Sequence, residues 1–543
     1  MIYGEETYQI GIGNGIYTSE LASNIPDGFC AKAYNMIASG DSLENRQGFT
    51  QTSVDYSRDS STFFEGGLRF NQLGNNDFNF PNLAFCEGQL IHFVRGGRPG
   101  EGSGDGFMTV DVGSTAGNVA NVCQYGSTFY FSSVDGVHKI LTFNWSTDAI
   151  TFAQVVSSDN QLLWGLFAFK DRLWGWNGDK LFYTDVAPVG GLPETWAPAT
   201  KFVPFRGPGG LATIVNVVPV SNKLVVFTTA GLYTLTVQGE PSSWINRLLD
   251  AKSKSTQGGN VACGFEANGI VYYANSRGVF ATNTIDTIKL SSTIEDNFYN
   301  AGELYITLNF LDDGMLLSMT KKTGLGQVDS STCKLFYSKL DPIAWTSWGS
   351  KTVVGFPEAF LGHNITNIVS CSDRITSYLS NDPSIFVMLV MSESVEGANA
   401  NYLYNFCVYD GGENKLKIKE GTIQTITDKV KLELKTRFAD GGAPFRKKRN
   451  KEAYVEAYTS DTRMKFKTQW SIDASPNPDV RLTEIDTFAV GEGSNLCRIP
   501  SDFMYRRCAL SMTVELQTND SQFKLKNVIV VGDTKAKESE LVG

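Results

Sequence analysis

Short apolar runs, separated by turns of Gly, Asn, Asp and Ser, recur at a similar spacing from about Leu83 to Asp410. Each copy has an apolar strand, a turn, a second apolar strand, a glycine turn and a third strand. The middle strands of successive copies begin roughly 44–51 residues apart. These middle strands start at Thr128, Arg172, Lys223, Ile270 and Met315. The pattern indicates an internal repeat of one small antiparallel sheet.

A repeat of this length built from three or four short strands is typical of β-propeller blades. A single small sheet has two faces and cannot bury both of them, so such sheets stack around an axis. We therefore predict an all-β protein with a β-propeller of about five to seven blades. The segment Asn82–Val94, and the segment Ser384–Ser394 with Asn401–Asp410 after it, would be degenerate outer copies. One long β-sandwich, or two, would show similar turn spacing and is the alternative fold.

The two ends of the chain have a different pattern. Residues 1–75 lack the repeat and contain a polar stretch that allows one short helix around Ala31–Ile37. Beyond Glu420, polar and apolar residues alternate strictly over Thr422–Asp440, as in a half-buried strand. We predict that residues 1–75 are the N-terminal segment of an attachment (platform) domain and 76–420 the β-propeller. Residues 421–532 would form a C-terminal β-sandwich packed with the N-terminal segment, and 533–543 a flexible tail.

Charge, cysteine content and apolar run lengths argue against some classes of function. The net charge of −10 is spread along the chain, which argues against tight DNA binding over a broad basic surface, although a channel for DNA needs only weak contact. The nine cysteines are scattered and never spaced as CxxC, which predicts buried reduced thiols. The N-terminus lacks a secretory pattern, and the apolar runs are about eight residues long, too short to cross a bilayer. We therefore expect no membrane insertion.

The sequence indicates no catalytic, cofactor-binding or metal-binding residue. His92, His138 and His363 have no Cys, Asp or His neighbours at ligand spacing, so core or surface positions are favoured. The turns at Ser132–Ile140 and Asp312–Gly314 lack the remaining residues of a sialidase turn and of a calcium loop, respectively. A propeller glycosidase is still open, because its paired carboxylates can come from different blades.

Aromatic residues mark the best-formed hairpin of the repeat. Trp174, Trp176, Phe182 and Tyr183 are placed as strand residues should be, and we predict that they pack within or between blades. A sugar-binding aromatic shelf is the alternative interpretation of the same residues.

The N-terminal segment also carries a recognisable motif. Its residues are Ala33, Asn35, Gly40, Leu43, Arg46, Gly48 and Phe49. This motif resembles the opening of tail nozzle and genome-stabilisation proteins of short-tailed bacteriophages. The hairpins at Arg172–Asp185 and Lys223–Val237 and the glycine-led segment Gly258–Phe280 resemble later parts of the same family. The likeness covers most of residues 25–285.

The resemblance implies a structural virion protein without enzymatic activity, assembled in the host cytoplasm and located in the virion tail. It implies a homo-hexamer below an adaptor ring, in contact with tail fibre or tail-tip proteins, through which viral DNA passes transiently. Two other functions are open at this stage. One is a carbohydrate-binding or glycosidase propeller, and the other is a propeller scaffold of a cellular protein.

Overall fold

The computed structural model describes most of the chain in separate ranges. These are residues 5–18, 24–46, 49–58, 82–86, 89–94, 106–109, 119–133, 136–144, 147, 149–157, 163–207, 209–254, 264–299, 304–322, 328–348, 364–371, 385–394, 401–409, 413–420, 422–440, 448–460, 464–472, 481–487, 493–515 and 522–534.

The described ranges are built almost wholly from β-strands. The N-terminal strands are β1 (Glu5–Ile10), β2 (Cys30–Tyr34), β3 (Met36–Ala38), β4 (Leu43–Asn45) and β5 (Phe49–Arg58). The middle strands are β6 (Asn82–Cys86), β7 (Gln89–Val94), β8 (Gly106–Thr109), β9 (Val119–Tyr125), β10 (Thr128–Ser133), β11 (Gly136–Asn144), β12 (Ala149–Ser157), β13 (Gly165–Phe169), β14 (Arg172–Asn177), β15 (Lys180–Tyr183), β16 (Phe202–Pro204), β17 (Arg206–Gly207), β18 (Gly210–Leu211), β19 (Ile214–Val220), β20 (Lys223–Thr228), β21 (Gly231–Thr236), β22 (Ile245–Asp250), β23 (Gly264–Ala267), β24 (Ile270–Asn275), β25 (Gly278–Thr282), β26 (Thr287–Lys289), β27 (Leu304–Leu311), β28 (Gly314–Lys322), β29 (Val328–Lys339), β30 (Thr346–Trp348), β31 (Asn364–Cys371), β32 (Ile385–Ser394) and β33 (Asn401–Tyr409).

The C-terminal strands complete the set. They are β34 (Glu413–Glu420), β35 (Thr422–Lys429), β36 (Lys431–Thr436), β37 (Lys448–Thr459), β38 (Met464–Ile472), β39 (Arg481–Thr487), β40 (Gly493–Tyr505), β41 (Cys508–Glu515) and β42 (Phe523–Thr534). In the described ranges a short helix, α1 (Asp296–Tyr299), and the 3-10 turns Pro241–Ser243 and Ser292–Ile294 lie between strands.

Small antiparallel sheets follow one another through the repeat region. In the described residues they are blade 1 (β6–β8), blade 2 (β9–β12), blade 3 (β13–β16), blade 4 (β19–β22), blade 5 (β23–β26), blade 6 (β27–β30) and blade 7 (β31–β33 with β5). In blades 2 to 6 each strand pairs with the next one along the chain. Four of the middle strands begin at the positions that the repeat predicts, and β28 begins one residue earlier, at Gly314.

The blades contact one another in a closed series. Apart from blades 3 and 4, consecutive blades contact each other through their first strands, and β5 of blade 7 contacts β8 of blade 1. Blades 3 and 4 share a buried cluster that contains Trp174, Trp176, Val226 and Leu235. This circular array confirms the predicted all-β propeller, and the seven blades in the described ranges lie within the predicted number.

The last blade of the ring is completed by a strand from the N-terminal part of the chain. Strand β5, from the N-terminal segment, pairs antiparallel with β33 and supplies the fourth strand of blade 7. The sequence places residues 1–75 together in the attachment domain, whereas residues 49–58 belong to the propeller in the structure. Pairing decides this boundary, because the free edge of β33 needs a strand to satisfy its backbone groups.

An asparagine follows a β-bulge in the first strand of blades 2 and 4. The pairing of β9 and of β19 shifts by one residue before Asn121 and Asn216. The amide of Val122 donates to Asn121 Oδ1 at 2.7 Å, and the amide of Val217 donates to Asn216 Oδ1 at 2.9 Å. A bulge disrupts the ladder locally, and a short amide side chain can satisfy a nearby backbone donor. Blade 7 has the same register shift before Asn367.

The N- and C-terminal segments build two larger sheets. A six-stranded sheet contains β1, β3, β4, β37, β40 and β42, and a nine-stranded sheet runs in the order β27-β28-β29-β30-β2-β36-β41-β38-β39. One core cluster includes Val455 and Val528 from the first sheet and Leu434 and Met512 from the second. The two sheets therefore share a hydrophobic core, as expected for the predicted sandwich-like attachment domain formed by both chain ends.

The prediction that a short helix could form around Ala31–Ile37 is wrong. These residues lie in β2 and β3, on either side of Asn35, whose φ of 59° turns the chain. β2 is held between β36 and β30, so tertiary pairing outweighs the weak local preference for a helix.

Candidate functional site: the junction of the propeller and the attachment domain

Several residues of the N-terminal motif lie at the junction of the two domains. Arg46, Leu43 and Ala33 have no exposed surface, and Asn35 is 1% exposed. Gly40 has a φ of 88°, in the left-handed region that favours glycine. Gly48 lies outside the described residues, and Phe49 begins β5. Five of the motif residues are therefore explained by burial or backbone conformation.

Arg46 is the central side chain of this junction. Its Nε donates to Asn35 Oδ1 at 2.9 Å, and its guanidinium carbon lies 5.6 Å from the ring centre of Trp348. Asn35 Nδ2 in turn donates to the carbonyl oxygen of Lys431 at 2.9 Å. Arginine is rarely fully buried unless its donors are satisfied. The contacts of Arg46 and Asn35 connect the N-terminal segment to β30 of blade 6 and to β36 of the attachment domain.

A seam between β2 and β30 joins the two domains along their backbones. Tyr34 pairs with Ser347 in parallel, and the amide of Asn35 donates to the carbonyl oxygen of Ser347 at 2.8 Å. Thr346 Oγ1 and Trp348 Nε1 both donate to the carbonyl oxygen of Met36, at 2.6 Å and 2.9 Å. Blade 6 therefore continues into the attachment domain as one hydrogen-bonded sheet.

A second contact lies beside this seam. The amide of Ile16 donates to the carbonyl oxygen of Trp345 at 2.7 Å, and Trp345 Nε1 donates to the carbonyl oxygen of Leu290 at 2.9 Å. Gly15 has a φ of 83°, and a Cβ there would lie 2.4 Å from the Trp345 oxygen. Only glycine can bring the N-terminal segment this close to blade 6.

Polar side chains also connect the two ends of the chain inside the attachment domain. The hydroxyls of Tyr8 and Tyr505 are 2.9 Å apart, and the Tyr8 hydroxyl lies 3.5 Å from Cys508 Sγ. Burial, with the neighbouring Cys508 and Tyr505, raises the pKa of Tyr8 far above its ordinary value. Tyr8 therefore stays neutral, and its contacts with Tyr505 and Cys508 hold β1 against β40 and β41.

His138 is buried in blade 2. A core position is one of the two that the sequence favours for the histidines. Its Nε2 lies 2.9 Å from Ser133 Oγ, and its ring stacks on Phe131 with centroids 4.8 Å apart. Ser133 has no exposed surface and His138 is 1% exposed, so this Ser–His pair cannot reach a substrate. The side chains of His92 and His363 lie outside the described residues.

The described residues carry little potential for metal or thiol chemistry. No group of three or more His, Cys, Asp or Glu residues that could hold a metal ion occurs in the described part of the chain. Cys30, Cys123 and Cys508 are buried free thiols, and burial raises the pKa of Cys30 and Cys123. In the same ranges no helix is long and apolar enough to cross a membrane.

The four aromatic residues of the best-formed hairpin pack between blades. Trp174 has no exposed surface, and Trp176, Phe182 and Tyr183 are at most 9% exposed. Trp174 contacts Trp244 of the next blade with ring centroids 5.1 Å apart. The packing interpretation of these residues is confirmed. The sugar-binding shelf is not formed by them, because a sugar ring needs an open aromatic face.

Sequence reasoning missed Tyr8, Trp345 and Trp348. The spacing of Trp345 and Trp348, three residues apart after the last hairpin of blade 6, could have indicated a packing site. Nothing in the sequence around Tyr8 indicates its role, because its partners are about 500 residues away in the chain.

No protein-family model matches this chain, and no curated protein matches it. Solved structures do show similarity. The Neurospora crassa Pan2 WD40 domain has 12% identity over 54% of this chain and 90% of that chain, with a TM-score of 0.30. The extracellular domain of a one-component system protein from B. thetaiotaomicron has 10% identity over 92% of this chain and 67% of that chain, with a TM-score of 0.37.

An exo-beta-1,3-galactanase from Phanerochaete chrysosporium is also similar, with 10% identity over 77% of this chain and 98% of that chain and a TM-score of 0.23. These similarities concern the β-rich architecture. At such identities and TM-scores they carry no information on activity.

Proposed function

We propose that this chain is the structural subunit of a tail nozzle at the distal end of a short bacteriophage tail. Six copies would form a ring below the adaptor subunits, serve as a conduit for the viral DNA and retain the packaged genome until ejection. The proposal rests on the resemblance in the N-terminal segment and on the position of the residues that carry it.

One observation carries the proposal. Ala33, Asn35 and Arg46 are buried at the domain junction, where Ala33 and Asn35 accept from or donate to Ser347 and Arg46 lies against Trp348. Leu43 is buried in the neighbouring strand β4, and Gly40 takes a positive φ in the turn before it. A chance match to Arg-x-Gly-Phe would be expected to leave its arginine at the surface, where arginine is usually found. The burial of Arg46 at the domain junction therefore supports the motif as a structural signature of the family.

The role needs no reactive side chain. A ring of rigid β domains provides a channel by its symmetry alone. The net charge of −10 is suited to passing DNA, because an acidic wall repels phosphates and prevents tight binding.

The alternative function is a carbohydrate-binding or glycosidase propeller. Such a site is usually lined by aromatic side chains with a few polar groups. Every tryptophan whose side chain is described is buried or half-buried. No observation on these residues favours a sugar site, so we retain the nozzle as the proposed function.

Electron microscopy of negatively stained particles tests the proposal. The purified chain would be mixed with the adaptor ring protein of the same tail, and we expect six-fold rings with an open centre. The parallel measurement is binding and hydrolysis of an oligosaccharide panel by the chain alone. A chain that stays monomeric with the adaptor, or that cleaves or tightly binds one oligosaccharide as a monomer, would overturn the nozzle assignment.

A further inference from the structure

We propose that the propeller and the attachment domain of one subunit form a single cooperative rigid body, so that the channel opens by movement between subunits. The statement about the channel rests on the nozzle function proposed above. The statement about the single chain stands without it.

The first reason is that one sheet belongs to both domains. The order β27-β28-β29-β30-β2-β36-β41-β38-β39 begins in blade 6 and ends in the attachment domain. Bending at the seam between β30 and β2 would break the hydrogen bonds at Tyr34, Asn35 and Met36. Asn35 and Met36 are buried, and water could not replace their lost partners without opening the core.

The second reason is the dry packing on both sides of the seam. Arg46 has no exposed surface, Trp345 is 1% exposed and Trp348 is 3% exposed. The same core cluster contains Leu308 of blade 6 and Leu432 of the attachment domain. Packed interiors have discrete arrangements and do not deform continuously, so the two domains cannot slide past each other by small steps.

The third reason is that the chain crosses between the domains without a linker. Arg46 is separated from Phe49, the first residue of β5, by only two residues. On the return path, β35, which is joined to blade 7 through β34 and β5, is separated from β36 by Val430 alone, and Val430 has no exposed surface. A hinge needs a few residues that are free to change φ and ψ. The buried Val430 does not have that freedom.

If the subunit is rigid, an opening signal must act at contacts between subunits. Receptor engagement would tilt or separate whole subunits around the ring, and the diameter of the channel would change with them. The junction around Arg46 would then couple the two domains, so that the propeller moves together with the attachment domain.

Calorimetry and hydrogen exchange on the full-length chain test the single-chain statement. We expect one thermal transition for the wild type. Amides of β20 in the propeller and β42 in the attachment domain should become exchangeable together as urea is added. Arg46→Lys, which cannot reproduce the planar guanidinium contacts, should split the transition into two that are separated by about 5 °C or more.

Two further variants make the result interpretable. Thr346→Val removes only the hydroxyl that donates to Met36. It should also split the transition into two, and it replaces Arg46→Lys in the test if that variant fails to fold. Arg498→Gln alters an exposed pair with Glu452 on the face of the six-stranded sheet, and it should leave one transition. Two transitions in the wild type, or exchange of the β20 amides at a urea concentration that leaves the β42 amides protected, would overturn the inference.

The statement about the ring has its own readout. Two dyes on one subunit, at Asn246 of blade 4 and Lys467 of the attachment domain, should keep their distance when the assembled ring opens, whereas dyes on neighbouring subunits should separate. A change of distance within a subunit would contradict the rigid body. Failure to form a ring would contradict the nozzle function and leave the calorimetric result intact.

Discussion

Arg46 Nε and Asn35 Oδ1 lie 2.9 Å apart in the interior of the protein, at the point where the propeller meets the attachment domain. Asn35 has a φ of 59°, and its Nδ2 donates to Lys431. One asparagine thus turns the chain, holds the buried arginine and reaches β36. The combination explains why an asparagine, rather than a glycine, stands at this turn.

The first prediction concerns the two roles of Asn35. Asn35→Ala removes both side-chain hydrogen bonds and places a residue that disfavours positive φ at the turn, so we expect a loss of about 2–4 kcal/mol in the free energy of unfolding. Asn35→Gly removes the same bonds but tolerates the φ, so its loss should be smaller, about 1–2 kcal/mol. Urea unfolding followed by fluorescence measures both. Equal losses would show that the backbone conformation is not a constraint.

The second prediction concerns the bulge asparagines of blades 2 and 4. Asn121→Ala and Asn216→Ala each remove an acceptor for a backbone amide in a buried strand, so each should destabilise the protein by about 1–2 kcal/mol. Asn246→Ala is the matched control, because Asn246 is exposed and its contact to Pro204 is 3.4 Å long. The control should change stability by less than about 0.5 kcal/mol. The prediction fails if all three variants unfold at the same urea concentration as the wild type.

The third prediction uses two glycines of the propeller region. Gly165 pairs with Trp176 across blade 3, and a Cβ at Gly165 would lie 1.9 Å from the indole ring. Because Trp176 is 1% exposed, the ring has nowhere to move, and Gly165→Ala should destabilise the protein by about 1–3 kcal/mol. A Cβ at Gly209 meets no atom within 4 Å, so Gly209→Ala should be nearly neutral. Thermal unfolding of the pair checks the difference, and a neutral Gly165→Ala would show that the blade packing is looser than described.

The fourth prediction is a pH dependence at the tip of blade 6. Partial desolvation of its carboxyl group, followed by the charge of Asp313, raises the pKa of Asp312, and Lys339 offsets this only in part. A carboxyl with a raised pKa binds its proton more readily in the folded chain. Its protonation therefore favours folding at low pH, and this contribution is lost as the pH rises from the unfolded pKa of about 3.9 through the folded pKa.

Asp312→Asn should therefore stabilise the protein at pH 7 relative to the wild type, and the gain should shrink towards pH 3. Asparagine also tolerates the φ of 58° at this position. Asp313→Asn is the control, because Asp313 accepts from the Tyr337 hydroxyl at 2.8 Å and pairs with Lys339. It should not stabilise the protein at pH 7. Melting temperatures across pH 3–7 measure both variants, and a constant difference for Asp312→Asn would refute the prediction.

The sequence by itself determined the local order of the propeller. Thr128, Arg172, Lys223 and Ile270 begin strands in the structure as the repeat predicts. The signals that place them, apolar runs bounded by glycine turns, are local because each spans only a few residues. Strict alternation likewise predicted β36, where Leu432 and Leu434 are buried and Lys431 and Glu433 are partly exposed. These features need no knowledge of distant partners.

Only the tertiary structure decided how the ends of the chain are used. β5 closes blade 7 by pairing with β33, β2 is a strand and not a helix because β30 and β36 flank it, and Tyr8 meets Tyr505 across nearly the whole chain. Each of these depends on a partner hundreds of residues away, and the local pattern of a short polar segment is compatible with several partners. The free energy gained by burying Arg46 and Trp348 together favours one pairing partner over the others. This contribution to stability exists only once the two domains are in contact.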